Sequence, residues 1–482
     1  MADADQYEVV IGLEVHAQLL TNTKLFCGDA TSFGQEPNTQ VSAISLGHPG
    51  TLPKMNKEAI HMAIRLGLAC NCEIVQHNYF ARKNYFYADL PKGYQISQHS
   101  TPICRNGFID IEAGSTARRI RINRIHMEED AGKSIHDDAN PVSLLDFNRA
   151  GTPLLEIVTE PDLRSADEAF AYVSKLRKLV RHLGVCDGNM EEGSLRCDVN
   201  ISVRPAGDPT LGTKVEIKNL NSIRFIKKAI EHERSRLIAL HRRGETILQQ
   251  TRGFDETNSS TYPIRTKENE DDYRYFPDPD LPPFTISTET IETIRAAMPA
   301  LPEAVKRQLM EDFGLSEYDA QQISSDQELS RFFIELIGLT GNAKAAANWT
   351  IGPVKNFLPM SGAISDVASI PPASIARLIA LIDEGVISYG LASQKIFPEL
   401  VKDPHLHIDS YITEKELSVS AGNEELDRLV EAALIKHSQK ITDYKKGKKG
   451  LISLFVGEVM KLSGGKADAR LVTEKITEKL NA

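Results

Sequence analysis

The chain has 482 residues, 41% of them hydrophobic and 25% charged, with a formal net charge of −10. That length allows about three domains and a core of ordinary size, and the composition is globular rather than disordered. The acidic total excludes a protein that coats nucleic acid over its whole surface, while leaving room for a local basic patch.

The six cysteines, at 27, 70, 72, 104, 186 and 197, are too sparse for a disulfide framework and lack the paired spacing of a zinc site. Reduced thiols are expected. The first residues, Met1 to Gln6, are acidic and polar, unlike a secretory or mitochondrial leader. No apolar run approaches the ~20 residues of a membrane helix. The expected location is cytoplasmic, with no membrane partner.

In chain order, the first element is a strand. Val9, Ile11, Leu13, Val15 and Ala17 alternate with Val10, Gly12, Glu14, His16 and Gln18. Strand side chains repeat every two residues, so Glu14 and His16 share one face, with Gly12 before them where a ligand could approach. Next, Phe80 to Gln98 interleaves Arg82, Lys83 and Lys92 with Tyr85, Phe86, Tyr87 and Tyr94. Such a mixture grips phosphates while stacking on bases, or it is a core strand pair with exposed lysines. Between Arg119 and Asp130 the apolar phase shifts from Ile120 and Ile122 to Ile125 and Met127. A one-residue shift predicts a β-bulge, a device found beside active sites. It leads into His126, Glu128, Glu129 and Asp130, whose three consecutive carboxylates repel one another unless solvent or a cation compensates. In Pro153 to Thr159, Glu156 shares a face with Leu154 and Val158, so it needs a metal, a base or an exit to water.

A hairpin follows. Leu195, Cys197, Val199, Ile201 and Val203 point one way and Arg196, Asp198, Asn200, Ser202 and Arg204 the other. The return strand sets Val215 and Ile217 against Lys214, Glu216 and Lys218. Several strands thus offer acids, His or Lys on a polar face. Hard oxygen ligands of this kind suit Mg²⁺ with substrate phosphates, or they are separate surface charges. The proline-rich stretch Tyr275 to Pro283 forbids helix and ends the β-rich region. Beyond it, Leu301 to Met310, Gln322 to Leu339, Pro372 to Ile382 and Glu424 to Ser438 carry helical periodicity. The fold class is therefore α+β. A large β-rich domain spans 1–295, a helical domain 296–405 and a helical tail 406–482.

The tail differs in charge. From Lys436 to Ala482 eleven Lys or Arg face five Asp or Glu, a surplus of +6 that leaves −16 on the rest. Lys445, Lys446, Lys448 and Lys449 sit beside Gly447 and Gly450 just before an amphipathic helix. They are either a solvated helix entry or a phosphate-contacting element. No P-loop, Rossmann glycine motif or nucleophile elbow is present.

The segments Val10-Ile-Gly-Leu-Glu-Val-His16, Arg82-Lys-Asn-Tyr-Phe-Tyr87, Lys92-Gly-Tyr-Gln-Ile-Ser-Gln98 and His126-Met-Glu-Glu-Asp-Ala-Gly-Lys133 resemble the B-subunit family of aspartyl/glutamyl-tRNA amidotransferases. So do Asp146 to Pro153, Glu216 to Asn221, Gln250 to Phe254 and Asp272 to Asp278. Phe455 to Met460 with Gly464 to Asp468 resembles the family's C-terminal tRNA-contacting domain, shared with YqeY-like proteins. The resemblance runs along nearly the whole chain in order.

It implies a cradle-like first domain and an ATP-dependent carbon–nitrogen ligase (EC 6.3.5.-) with glutamine as amido donor. The side-chain carboxylate of a mischarged tRNA is phosphorylated with Mg-ATP and then amidated. The A subunit of the implied heterotrimer is a glutamine amidase that releases the ammonia, and the small C subunit is the clamp; DNA is not a partner. The implied metal ligands are Glu14, His16, Glu128 or Glu129, and Glu216. Arg82, Lys83 and Lys218 would face phosphate or carboxylate charge, with Lys92 joining them at the nucleotide. Glu14, His16, Glu129, Lys83 and Lys218 would carry the chemistry, and the lysine cluster at 445–449 would contact tRNA. Glu156 and Asp198 are added from strand phase. Many relatives carry four cysteines where this chain has Cys27, Asp29, Ser42 and Ser45, so no structural zinc is expected. Nothing resembles the Ser-Ser-Lys amidase signature, so glutamine hydrolysis is not expected of this chain. The competing expectation is a noncatalytic tRNA-binding scaffold, in which the acids merely solvate a sheet face.

Overall fold

The computed structural model describes residues 6–114, 116–137, 142–266, 273–357, 370–418, 423–445, 447–464, 467 and 469–481. The chain forms two compact units, Met1–Leu301 and Pro302–Ala482. In the first, strand β1 (Tyr7–Gln18) precedes helix α1 (Lys57–Ala69) and strands β2 (Glu73–Ile74), β3 (Ala81–Asn84) and β4 (Tyr94–Ser97). Then come β5 (Cys104–Ala113), β6 (Thr116–Glu129) and β7 (Pro153–Thr159). Helix α2 (Ala166–His182) leads to β8 (Leu195–Pro205) and β9 (Val215–Leu220), and α3 (Ile223–Arg242) to β10 (Gln250–Asp255), β11 (Ser260–Thr266) and β12 (Phe276–Pro277).

These strands make a 12-stranded sheet in the order β11-β10-β9-β8-β1-β7-β6-β4-β3-β12, with β5 paired to β6 and β2 to β5. All its pairs are antiparallel except β9 with β10. A parallel pair needs a crossover, and α3 supplies it. One face of the sheet is the core. Val9, Ile11, Leu13, Val15 and Ala17 of β1 are buried with Leu195, Cys197, Val199, Ile201 and Val203 of β8 under the apolar faces of α1, α2 and α3. Each buried aliphatic chain contributes roughly 1.5–3 kcal/mol. The alternate residues of both strands face the other way.

The bulge expected before His126 is present. Val158 pairs with Arg124 but Thr159 pairs with Ile122, so Asn123 is the extra residue. A second irregularity lies between Cys197, opposite Leu220, and Val199, opposite Ile217. Gly12 departs from expectation. A Cβ there would meet only Pro161 and Thr159 at 3.8–3.9 Å, ordinary contact, so no close approach requires this glycine. Gly253 is different: a Cβ would lie 2.5 Å from the Tyr262 ring.

In the second unit, one buried cluster runs from Val305 to Leu417 and a second from Leu426 to Leu480. Helices Pro302–Phe313, Pro372–Asp383 and Asn423–Lys436 follow the periodicity closely. The expected helix Gln322 to Leu339 is instead two, Glu317–Ser324 and Gln327–Thr340. Asp326 breaks it, because its side chain accepts from Leu329 N as an N-cap. Among the described residues no helix is long and apolar enough to cross a membrane.

A buried charge cluster ties α3 to the sheet. Glu233, fully buried, takes two nitrogens of Arg236 at 2.8–2.9 Å, Arg252 Nε of β10 at 3.1 Å, and the Thr261 hydroxyl of β11. Burial pushes the Glu233 carboxyl up, but these donors outweigh it and hold it below the usual range. Removing one partner of a buried ionic cluster strands the other. Glu233→Ala is expected to lower the unfolding free energy of the first unit by about 3–5 kcal/mol, read from urea denaturation.

Candidate functional site

The register of β1 builds the site. His16 lies opposite Glu156 of β7 on one side and Arg196 of β8 on the other, and Glu156 in turn lies opposite His126 of β6. One row across four strands therefore reads Arg196, His16, Glu156, His126. Two residues along, Glu14 lies opposite Asp198, and in the next row Gly12 faces Asn200, Glu216 and Thr251.

Two clusters result. His16, Glu128 and Glu156 offer ligand atoms within 4.8 Å of one another, and so do Glu14, Asp198 and Glu216. In the first, Glu156 Oε2 lies 3.3 Å from His16 Nε2 and 3.4 Å from His126 Nε2, while Glu128 approaches the same nitrogens at 3.8–3.9 Å. In the second, Asn200 Nδ2 donates to Glu14 at 2.8 Å and Thr251 Oγ1 to Glu216 at 2.9 Å. The Asn200 Oδ1 is buried beside them without a partner among the described residues.

Cations ring these acids. Lys218 Nζ lies 3.4 Å from both Asp198 and Glu216. Burial disfavours its charge, but Asp198, Glu216 and Glu14 outweigh burial and hold it protonated. Lys83 sits 4.9 Å above the Tyr273 ring, its charge opposed by burial and restored by Glu128 and Glu156. Asp130, beyond the first cluster, accepts from Gln18 Nε2 at 2.7 Å and Arg196 Nη2 at 2.8 Å.

The sequence-derived metal set is thus brought together as two groups, with His16 in one and Glu14 and Glu216 in the other. Of the adjacent pair, Glu128 faces the first cluster. Glu129 does not: its carboxylate takes Lys92 Nζ and the Ile96 N–H at 2.9 Å. Lys92 is accordingly drawn to Glu129. Arg82 is held by Asp278 and Asp280, each at 2.8 Å, and lies 4.2 Å over the Tyr94 ring. Glu156 and Asp198 each complete a cluster. His126 and Asp130, named from sequence beside the bulge, and Arg196 and Asn200, named only as polar-face positions, are site residues to which sequence reasoning gave no role. His126 stands two residues before Glu128, and Arg196 and Asn200 flank Asp198 at the same spacing, so strand phase was the available signal. In the tail, Lys445, Lys448 and Lys449 are exposed, Lys448 lies 3.7 Å from Asp443, and Lys449 sits 4.3 Å over Tyr444. Lys446 lies outside the described residues. Among Cys27, Asp29, Ser42 and Ser45, Asp29 Oδ2 accepts from Ser42 N at 2.9 Å and Ser45 Oγ at 2.6 Å. Burial pushes the neighbouring Cys27 thiol up to about 11.

Burial lowers the basicity of both site histidines, but Glu156 and Glu128 outweigh it. His16 is raised and His126 reaches about 9. Glu156 moves the opposite way: burial raises it, and the two imidazoles pull it well below the carboxylate range. A raised folded value stabilises the protein fully below the unfolded value, near 6.5, and that contribution is lost as pH rises through about 9. In chelator, the stability advantage of wild type over His126→Gln should therefore shrink between pH 6.5 and 9, measured by urea unfolding at each pH.

Comparison with known proteins places this geometry. A family model described as the GatB/GatE catalytic domain matches residues 9–292, and one described as a GatB domain matches 331–480. The aspartyl/glutamyl-tRNA(Asn/Gln) amidotransferase B subunit of Thermodesulfovibrio yellowstonii is 46% identical over 471 residues, covering 98% of each chain. Those of Geobacter sulfurreducens and Persephonella marina are each 47% identical, over 98% of this chain and 99% and 100% of theirs. Two clusters of acids on one sheet face, in a chain this similar along its whole length, leave one assignment: it belongs to the family of aspartyl/glutamyl-tRNA(Asn/Gln) amidotransferase B subunits.

Proposed function

We propose that this chain phosphorylates the side-chain carboxylate of glutamate or aspartate esterified to a mischarged tRNA, using ATP, and converts it to the amide. The convergence of His16, Glu128 and Glu156 beside Glu14, Asp198 and Glu216 carries this reading. A noncatalytic scaffold has no reason to gather six ligand side chains from β1, β6, β7, β8 and β9 into two groups.

A free carboxylate is a poor acylating agent and its acyl phosphate a good one. One carboxylate oxygen attacks the γ-phosphorus as the bridging bond breaks and ADP leaves. Ammonia then adds to the acyl carbon and phosphate departs. Positioning and charge neutralisation are the protein's contribution. The all-oxygen set Glu14, Asp198 and Glu216 fits Mg²⁺, with the unpartnered Asn200 Oδ1 at its edge, and His16, Glu128 and Glu156 form a mixed nitrogen–oxygen set. Bound there, Mg²⁺ would neutralise triphosphate charge. Lys83 and Lys218 face the same clusters and hold phosphate oxygens. Arg82 and Lys92 reach a phosphate only by releasing their carboxylate partners.

The relatives carry the name of a B subunit, which supports partner subunits; in this reading one is an amidase that releases the ammonia and another a small clamp. The test uses the full chain, mischarged tRNA, labelled ATP and ammonium chloride. ADP should form only with the mischarged tRNA. Glu156→Gln and Glu216→Gln should each lower its formation about 100-fold with tRNA binding unchanged. No ADP from the wild-type chain would favour the scaffold reading.

The exposed lysines of the tail are proposed to contact tRNA phosphates. Each phosphate neutralised contributes up to ~0.9 to the slope of log affinity against log salt. Replacing Lys445, Lys448 and Lys449 with Ala should flatten that slope by up to about 3, measured by tRNA titration across a salt series. An unchanged slope would make them solvated helix-end charges.

A further inference from the structure

We propose that Arg196 is the residue that recognises the reacting carboxylate of the substrate and then holds its oxygen through the amidation step. This inference rests on the proposed phosphorylation and extends it to the amino acid itself.

The mischarged amino acid is esterified through its α-carboxyl. Its side chain is then its one carboxylate, and its α-amine is a cation at neutral pH. Something must hold that carboxylate beside six candidate ligand side chains, of which five are carboxylates that repel it and the sixth, His16, is already paired with Glu156 at 3.3 Å. Lys218 is drawn to Asp198 and Glu216, and Lys83 to Glu128 and Glu156. Arg82 and Lys92 are engaged with Asp278, Asp280 and Glu129.

Arg196 stands apart in place and in unused capacity. It lies opposite His16 on β8 and two residues before Asp198, so it borders both clusters. Its guanidinium spends one nitrogen, Nη2, on Asp130 at 2.8 Å. Its Nε is buried and has no hydrogen-bond partner among the described residues. A buried donor left unsatisfied costs about 1–3 kcal/mol, a cost that a bound acceptor removes. The side chain as a whole is 34% exposed, so a ligand can approach the guanidinium, and the shielded Nε gains an acceptor when the guanidinium turns toward it. Asp130 keeps Gln18 at 2.7 Å and has Arg149 at 3.7 Å, so its charge does not depend on Arg196 alone. A planar guanidinium also matches a carboxylate edge in a way an ammonium does not.

The same contact serves each stage. One carboxylate oxygen rests on Arg196 while the other attacks the γ-phosphorus. In the acyl phosphate, the oxygen on Arg196 is the carbonyl oxygen. When the ammonia lone pair forms the new C–N bond, the C=O π pair moves onto that oxygen as an oxyanion beside a fixed cation. It returns as the C–O bond to phosphate breaks, and solvent takes the proton from nitrogen. A donor aimed at developing charge is typically worth about 10²–10³ in rate.

The test uses the full chain with glutamyl-tRNA, ATP and ammonium chloride, with Arg196→Gln and Arg196→Lys. Both should lower kcat/KM for glutamyl-tRNA, by about 100-fold and at least about 10-fold respectively. Mg-ATP binding by calorimetry should stay within about twofold. Wild type should bind glutamyl-tRNA more tightly than glutaminyl-tRNA, because a side-chain amide brings the guanidinium a neutral oxygen in place of an anionic one, and Arg196→Gln should abolish that preference. Full turnover by Arg196→Lys, or an intact preference in Arg196→Gln, would overturn the assignment. So would a parallel loss of Mg-ATP binding and thermal stability in both variants, which would mark a structural residue. A wild-type chain that forms no ADP would instead overturn the functional reading on which this one rests.

Discussion

Everything chemical in this protein depends on the register of one strand. β1 lies between β7 and β8, and the pairing that sets His16 against Glu156 also sets it against Arg196 and sets Glu14 against Asp198. A slip of one residue on either side would turn a whole row of ligands into the core, because strand side chains alternate. The register is protected by hydrophobicity on the far face. Leu13, Val15, Val199 and Ile157 are essentially inaccessible to solvent and have no alternative phase in which to stay buried. The apolar half of the strand thus specifies where its polar half points.

The polar half works because acids and bases arrive in alternation. Five carboxylates that would repel one another are interleaved with Lys83, Lys218, Arg196 and the imidazoles of His16 and His126. Glu156 shows the balance: burial alone would protonate it, and two histidines at 3.3 and 3.4 Å keep it ionised. The cost is that the same carboxylate makes each imidazole hold its proton more tightly. A cation entering the first cluster competes with a proton for the same atoms.

Much of this was legible in the sequence, and the limits have physical causes. Strand phase on β1 and β8 identified both faces, and the jump from Ile122 to Ile125 located the bulge that the pairing puts at Asn123. Phase also pointed to Glu156 and Asp198, since a carboxylate beside Leu154 and Val158 demands a partner. What periodicity withholds is which strand lies beside which. The order β8-β1-β7-β6 sets β1 between two segments each more than a hundred residues from it, and that order separates the candidate ligands into two groups. The choice between Glu128 and Glu129 is likewise decided by a tertiary contact, because Ile96 and Lys92 engage only one of them. The split of the expected Gln322 to Leu339 helix came from Asp326, whose capping bond competes with continued helix.

The extra residue at Asn123 has a consequence for how the chain tolerates change. The β5–β6 hairpin runs from Ala113 opposite Thr116 past Asn123 to Cys104 opposite Ile125; before Asn123 it buries Ile120 and Ile122, and after it Ile125 and Met127 are buried and His126 and Glu128 meet the candidate ligand clusters. Because the phase breaks between them, the two halves of β6 keep separate accounts of which side is inside. The hairpin near Ala113 and Thr116 can lengthen or shorten while residues 124–129 keep their alignment with β7. Asn123 thus lets one strand answer to two neighbours at once, keeping an unbroken register with β5 while its register with β7 shifts by a residue.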